Sequence, residues 1–242
     1  AEAKQAVELC EKAGIKVILA TGKLIYSLLP IIKPLKLAMP QITAEGATLI
    51  DSSLRVHKAF HLEGETYLKI IEFIKNNGCH PLVTLEDNIM YYDTHTKVVE
   101  YIKQTGEKLS QAVSLTTDNF KNHAISISLL YQDEQFGPVI EKEFMAAPVK
   151  INRPWKTFVT ILPAQVSKGR ALKSIIDGLG LNRQEVAVFG DNINDLSMFE
   201  QAGLKIAVSN AHQNLAESAD IITGSNLEGG VGKAIYQYIL KN

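Results

Sequence analysis

Phe189-Gly190-Asp191-Asn192-Ile193-Asn194-Asp195 sits between an apolar run at 186–189 and a helix-patterned stretch at 195–202. The run is short and wholly apolar, as a parallel strand buried on both faces is. Gly190 permits a tight exit, and two acids four positions apart come next with two carboxamides between them. In a parallel α/β sheet, ligands bind beyond the carboxyl ends of the strands, where these residues fall. Hard cations such as Mg²⁺ take oxygen ligands, commonly one or two carboxylates, so Asp191 and Asp195 are candidate metal residues. An Asx-rich turn into a helix uses the same residue types, and the local string does not separate the two readings. An EF-hand loop is excluded, because Ile193 and Leu196 stand at its third and sixth positions.

The same alternation extends outward in both directions. Downstream, 205–208 and 220–222 read as strands, and 214–219 and 231–240 as helices. Upstream, 158–162 reads as a strand and 171–179 as a helix entered through Ser167-Lys168-Gly169. Near the start, Ala3, Ala6, Val7, Cys10 and Ala13 recur at helical spacing, and 16–20 reads as a buried strand. Gly22 comes after it, then a helix from Leu24 to Leu29 that Pro30 should stop, and a short strand at 47–50. Between these halves the character changes. A helix marked by Tyr67, Ile70, Ile71 and Ile74 precedes a hairpin of 82–85 with 89–92 around Glu86-Asp87-Asn88. Val98, Ile102 and Thr105 suggest a helix face, 124–131 a strand and 136–145 a helix. The pattern predicts an α/β core at 1–54 and 158–242, with a parallel sheet covered on both faces, interrupted by an α+β module at 55–157.

Two further strand or helix ends carry candidate chemistry. Thr21-Gly22-Lys23 succeeds the run at 16–20, and a hydroxyl with backbone N–H groups at a turn into a helix can hold a phosphate. It is not a Walker loop, since Val17 and Leu24 occupy required positions. Lys168 opens a helix, where a cation opposes the macrodipole; that placement makes sense if an anion is also present, and a surface lysine is the plain alternative. The glycines at 224, 229, 230 and 232 do not form a dinucleotide fingerprint, and the six histidines show no metal-ligand spacing.

Taken in order, these segments resemble the haloacid-dehalogenase superfamily of phosphohydrolases, most of all its Cof-type sugar-phosphatase branch. The matching residues are Leu19-Ala20-Thr21-Gly22-Lys23, Val166-Ser167-Lys168-Gly169 and Gly190-Asp191-Asn192-Ile193-Asn194-Asp195 with Met198. Ile206-Ala207-Val208-Ser209-Asn210-Ala211, Ala219-Asp220 and Asn226-Leu227-Glu228-Gly229-Gly230-Val231 add to them. The resemblance implies a Rossmann-like core with a C2-type cap and Mg²⁺-dependent hydrolysis of phosphate monoesters through an aspartyl-phosphate. By that resemblance Asp191 binds the metal and Asp195 supports the site. Thr21 and Gly22 hold phosphoryl oxygens, Lys168 neutralises them, and Asn194 contacts the substrate phosphate. Lys168→Ala is then expected to abolish activity without destabilising the fold.

Three departures stand out. The family's nucleophile lies in an Asp-x-Asp-Gly-Thr motif, and this chain has no Asp-x-Asp anywhere. Its place in the resemblance is before Ala1, on a strand that would lie between 16–20 and 186–189. Without it those two runs either close up and pair, or another segment fills the gap, or residues precede Ala1; the last is the expectation. Glu45 stands where the family more often has Asn, which puts a substrate contact there in doubt, and Lys23 stands where Arg is common.

Composition narrows the partners. Lys plus Arg is 25 and Asp plus Glu 26, a formal charge of -1, so long-range attraction to nucleic acid or anionic membrane is not expected. No apolar run approaches the length that spans a bilayer. Two scattered cysteines, Cys10 and Cys79, suit a reducing, cytoplasmic compartment. The expected partner is a small phosphorylated substrate, bound by a monomer or homodimer. A phospho-ligand-binding remnant without catalysis, and a phosphomutase on the same scaffold, remain open beside the phosphatase.

Overall fold

The computed structural model describes residues 2–86, 88–91, 108–112, 114, 115 and 118–240. The described strands in chain order are β1 (Gln41–Thr43), β2 (Thr48–Ile50), β3 (Val56–Ala59), β4 (His80–Thr84), β5 (Ile89–Tyr91), β6 (Leu109–Gln111), β7 (Ser126–Leu130), β8 (Val149–Trp155), β9 (Phe158–Pro163), β10 (Ala187–Gly190), β11 (Leu204–Val208) and β12 (Ile221–Thr223). They form three sheets. β10, β11 and β12 are parallel neighbours, as the short apolar runs predict. Helices cover both faces. Ala171, Leu172, Ile175 and Ile176 of the helix Lys168–Leu179 pack with Val188 and Ala207 on one side. Ala6 and Cys10 of the helix Glu2–Lys12 pack with Phe189 and Ile235 on the other. The protein is therefore α/β, with a Rossmann-like core.

The run at 16–20 differs from expectation. It is extended but bonded on one side alone: Ala20 bridges Ile42 in parallel, and the Leu19 carbonyl accepts the Ile42 N–H at 2.9 Å. Val17 through Ala20 are half-buried rather than buried. The reason lies at their free edge. Ile18 and Ala20 share one apolar cluster with Val188, and Val17 shares another with Phe189, so the two runs lie in one layer. Among the described residues no hydrogen bond joins them. The two edges have not closed up.

The second unit is a six-stranded sheet in the order β6-β5-β4-β7-β9-β8, antiparallel except for the β5–β6 pair. Tyr67, Ile70, Ile71 and Ile74 of the helix Gly64–Asn77 and Ile140 of the helix Phe136–Glu143 bury its Val83, Ile127, Leu129, Val159 and Ile161. This is the inserted α+β cap, but its limits move. Residues 158–162, expected to reopen the core, form β9, flanked by β7 and β8. A central antiparallel strand under helices is as apolar as a parallel one, so composition could not assign it. At the other end β3 pairs with β2, beside β1, and belongs to the core. The chain enters the cap where the Leu62 N–H reaches the Ala124 carbonyl at 2.8 Å.

Three helical expectations also change. Pro30 does not stop its helix, which runs Ile25–Leu35 through both Pro30 and Pro34 because Ile25, Leu28, Ile32 and Leu35 form one buried stripe. The stretch 195–202 is a 3-10 turn, Ile193–Asp195, followed by one short helix, Leu196–Phe199. The closing helix is Gly230–Ala234 followed by a π-helical turn, Ile235–Ile239. The helix face at Val98, Ile102 and Thr105 lies outside the described residues.

Gly169 locks two of these pieces together. A Cβ there would collide with the Ser197 carbonyl, and the Gly169 N–H is bonded to Ser197 Oγ at 3.0 Å. Gly→Ala inside an exposed helix ordinarily gains up to about 1 kcal/mol. Here Gly169→Ala should instead lose roughly 1–3 kcal/mol through overpacking against backbone, read as a lowered midpoint in chemical denaturation. A raised midpoint would show that the 196–199 turn moves aside freely.

Candidate active site

The site assembles where 16–20 and β10 end, at the same end of the layer. Gly190 closes β10, and a Cβ on it would lie 3.0 Å from Asp195 Cβ and from Leu215 Cδ2, so glycine lets the loop fold back over the strand end. Asp195 organises this loop. Its Oδ2 accepts the backbone N–H groups of Asp191 at 3.0 Å and Asn192 at 3.1 Å. Asn192 Oδ1 accepts the Ile193 N–H at 2.7 Å, completing a capped turn. The His212 N–H holds the Asp191 carbonyl at 2.9 Å from the next connection.

Lys168 meets this loop from the helix Lys168–Leu179. Its Nζ donates to Asp195 Oδ1 at 2.8 Å, with the two side chains 8% and 6% exposed. Ser167 caps the helix, accepting the Arg170 N–H at 3.1 Å. The expectation that removal of Lys168 would leave the fold intact is therefore corrected. Its cation is buried against a buried carboxylate, and deleting one partner of such a pair typically costs about 3–5 kcal/mol. The plain alternative of a surface lysine also fails.

Thr21 and Gly22 arrive from the run at 16–20. Thr21 Oγ1 accepts the Lys23 N–H at 3.2 Å, which turns the loop, and the Thr21 N–H donates to the Ile42 carbonyl at 2.9 Å. Gly22 is exposed, and its N–H has no partner among the described residues. Lys23 is exposed as well. Opposite them the 44–46 turn carries Glu45, with Ala44 and Glu45 both at positive φ (49° and 59°). The Glu45 N–H reaches the Thr21 carbonyl at 3.2 Å, and Glu45 Oε2 accepts from Asn194 Nδ2 at 2.8 Å. Gly46, at φ 95°, wedges this turn against Ser167 and Lys168, where a Cβ would collide with the Ser167 carbonyl. Thr21, Gly22, Lys168, Asp191, Asn194 and Asp195 thus converge from three separate segments. The residue that the sequence placed in doubt, Glu45, joins them. Ser197 was missed; it ties Gly169 to the Asn194 carbonyl, and nothing in its local string marks it.

The chemistry on offer is acidic with one buried cation. Asp191 is an exposed residue whose carboxyl is nonetheless held above the usual range, first by partial desolvation, then by the neighbouring Asp195 charge, with Lys168 opposing. Like charges held together in this way suit a divalent cation. Mg²⁺ is commonly bound by one or two carboxylates with substrate phosphate completing the shell, so these residues fit it. Asp191, on the exposed side of the loop, could ligate directly, while three contacts already occupy Asp195. Among the described residues no group of three or more His, Cys, Asp or Glu forms a closed metal cage. The thiols offer no alternative nucleophile: both are buried, and burial pushes Cys79 up to about 11.

Comparison with known proteins identifies the scaffold. The chain is 26% identical, over 99% of its length and 91% of the relative's, to a 5-amino-6-(5-phospho-D-ribitylamino)uracil phosphatase of Bacillus subtilis. It is 25% identical to a pyridoxal phosphate phosphatase of Escherichia coli, over 98% of this chain and 90% of that one. A solved structure from Thermotoga maritima superposes with a TM-score of 0.89 at 26% identity, covering 98% of this chain and 89% of that one. A family model of haloacid dehalogenase-like hydrolases matches residues 1–235. With the parallel core, the inserted cap and the loop cluster at the sheet edge, this places the chain in the haloacid dehalogenase-like hydrolase family.

Proposed function

We propose that this chain forms the metal- and phosphate-holding part of a phosphatase acting on phosphate monoesters of small metabolites, sugar phosphates among them. The observation that carries the reading is the convergence of the buried Lys168–Asp195 pair with Asp191 and a Gly22 N–H that has no partner among the described residues, at one sheet end. Support also comes from the relatives in Bacillus subtilis and Escherichia coli, which are named for phosphatase activity on different phosphorylated metabolites. The specificity those names imply is not shared between them, so the common chemistry is the phosphate ester.

The roles come from the geometry. Mg²⁺ held by Asp191, with Asp195 behind it, would supply positive charge to the phosphoryl oxygens. Asp195 shapes the loop that presents Asp191, through the two backbone N–H groups it accepts. Lys168 holds Asp195 in place and adds the cation that phosphoryl transfer needs. The Gly22 N–H and Thr21 supply donors for phosphoryl oxygens, and Asn194 orients the ester from the opposite wall. The attacking carboxylate of an aspartyl-phosphate pathway is assigned to a strand preceding Ala1. Among the described residues the facing edges of 16–20 and β10 are unpaired, and such a strand set between them would end at the same loops. The cap, packed over the 44–47 turn through Ile125 and Leu162, is positioned to exclude water.

Two outcomes test this. The 242-residue chain alone should turn over a generic aryl phosphate negligibly in Mg²⁺, because it lacks the Asp-x-Asp motif that carries the attacking carboxylate in this reading. In a form carrying an Asp-x-Asp strand upstream, the same assay should show turnover, and Asp191→Asn should raise the Mg²⁺ concentration for half-maximal rate at least about tenfold. Robust turnover by the shorter chain would sink the assignment of the nucleophile.

The third outcome concerns the ion pair. Lys168→Ala should lower stability by about 3–5 kcal/mol and abolish activity per folded molecule in the longer form. Unchanged activity per folded molecule would make Lys168 structural alone, with no part in holding phosphate.

A further inference from the structure

Glu45 places a carboxylate where the phosphatase reading needs donors. Its backbone is fixed from both sides. The Glu45 N–H is bonded to the Thr21 carbonyl and the Ala44 N–H to the Lys23 carbonyl, at 3.2 and 2.9 Å. Gly46 then packs the turn against the start of the helix Lys168–Leu179. From this anchored turn the side chain reaches across the site. Oε1 stands over Gly22 so closely that a Cβ on that glycine would collide with it, and the three atoms nearest to such a Cβ all belong to Glu45. Oε2 takes the side-chain amide of Asn194 at 2.8 Å. Asn194 Oδ1 is left buried with no hydrogen-bond partner among the described residues.

The carboxylate has no cation to answer it. Among the described residues Glu45 forms no ion pair, and the buried lysine nearby is bonded to Asp195. Gly22 and Asn194 are two of the groups assigned above to the substrate phosphate. A carboxylate and a phosphoryl group are both anionic oxygen acceptors and use the same kind of donor. An anionic side chain bonded to Asn194 and packed against Gly22 must move before a phosphate can reach both.

We infer that Glu45 is a tethered competitor for phosphate, whose carboxylate holds the Asn194 donor and crowds Gly22 until a ligand displaces it. The inference rests on the phosphatase reading. Free inorganic phosphate has only its own charge with which to displace Glu45, whereas a phosphate ester adds contacts from its organic part. The displacement cost is common to both ligands, so the residue weakens binding of the free ion and speeds its departure after hydrolysis, while the ester offsets that cost with its organic part.

The test is a titration of the full 242-residue chain with inorganic phosphate at fixed Mg²⁺ and ionic strength. It is monitored by nuclear magnetic resonance at the Gly22 backbone amide and the Asn194 side-chain amide. Wild type, Glu45→Gln and Glu45→Asn are compared; asparagine tolerates the left-handed backbone at this position, so at least one variant should keep the turn. The expected result is a midpoint about tenfold lower in both variants, roughly 1.4 kcal/mol tighter. The Asn194 side-chain amide should already be shifted in the variants before phosphate is added. Equal midpoints in the three proteins, with Gly22 responding in each, would overturn the role of Glu45 and leave the phosphate site standing. Weaker binding in the variants would overturn it too and would make Glu45 a positioning or metal-holding residue. If Gly22 responds to phosphate in none of them, the phosphatase reading fails and this inference falls with it.

Discussion

The buried Lys168–Asp195 pair is the constraint on which the site depends. Two ions removed from water carry a desolvation cost that their mutual attraction offsets only when the remaining hydrogen-bonding capacity is also satisfied. Asp195 meets that condition: one oxygen takes the lysine, and the other takes two backbone N–H groups of its own loop. The geometry of the 190–195 loop is therefore a consequence of burying the pair. A lysine at the first position of a helix also faces an unfavourable dipole, and the acid opposite removes that penalty. The single contact ties the start of one helix to the exit of a strand 27 residues away.

Close backbone approach makes the pair possible. Gly46, Gly169 and Gly190 stand where a Cβ would meet Ser167, Ser197 or Asp195, so the three loops come nearer than side chains would allow. The core clusters then fix the distances: Ala171, Leu172, Ile175 and Ile176 seat the helix on Val188 and Ala207, and the 44–47 turn is held between Leu24, Leu162 and Val166. The cap shares that last cluster through Ile125 and Leu162. Packing of the cap and geometry of the 44–47 turn are thus one problem, since both rest on Ala44 and Ala47.

Family membership and local chemistry divide the functional account between them. The end-to-end match to haloacid dehalogenase-like hydrolases fixes the scaffold. Glu45 is a property of this chain, and its reach to Asn194 is visible only with the loops assembled. The edges of 16–20 and β10 carry the same lesson for the sheet. Among the described residues each is bonded on its outer side alone, and the half-burial of Val17 through Ala20 records it.

By itself the sequence determined the alternation of apolar strands and amphipathic helices, the parallel core, the inserted module, and the three short motifs whose order carries the family. These arise from periodicity and turn chemistry, which are local. Tertiary structure decided the rest. It gave β9 to the cap, because a strand buried between two neighbours and under helices has the same composition in either kind of sheet. It carried a helix through Pro30 and Pro34, because burial of Ile25, Leu28, Ile32 and Leu35 outweighed the lost backbone bonds. It turned Lys168 from a helix-start cation into half of a buried pair, and Glu45 from a mismatch into a group inside the site. In each case the deciding partner is remote in sequence, and no local pattern encodes the charge or the volume that will stand opposite.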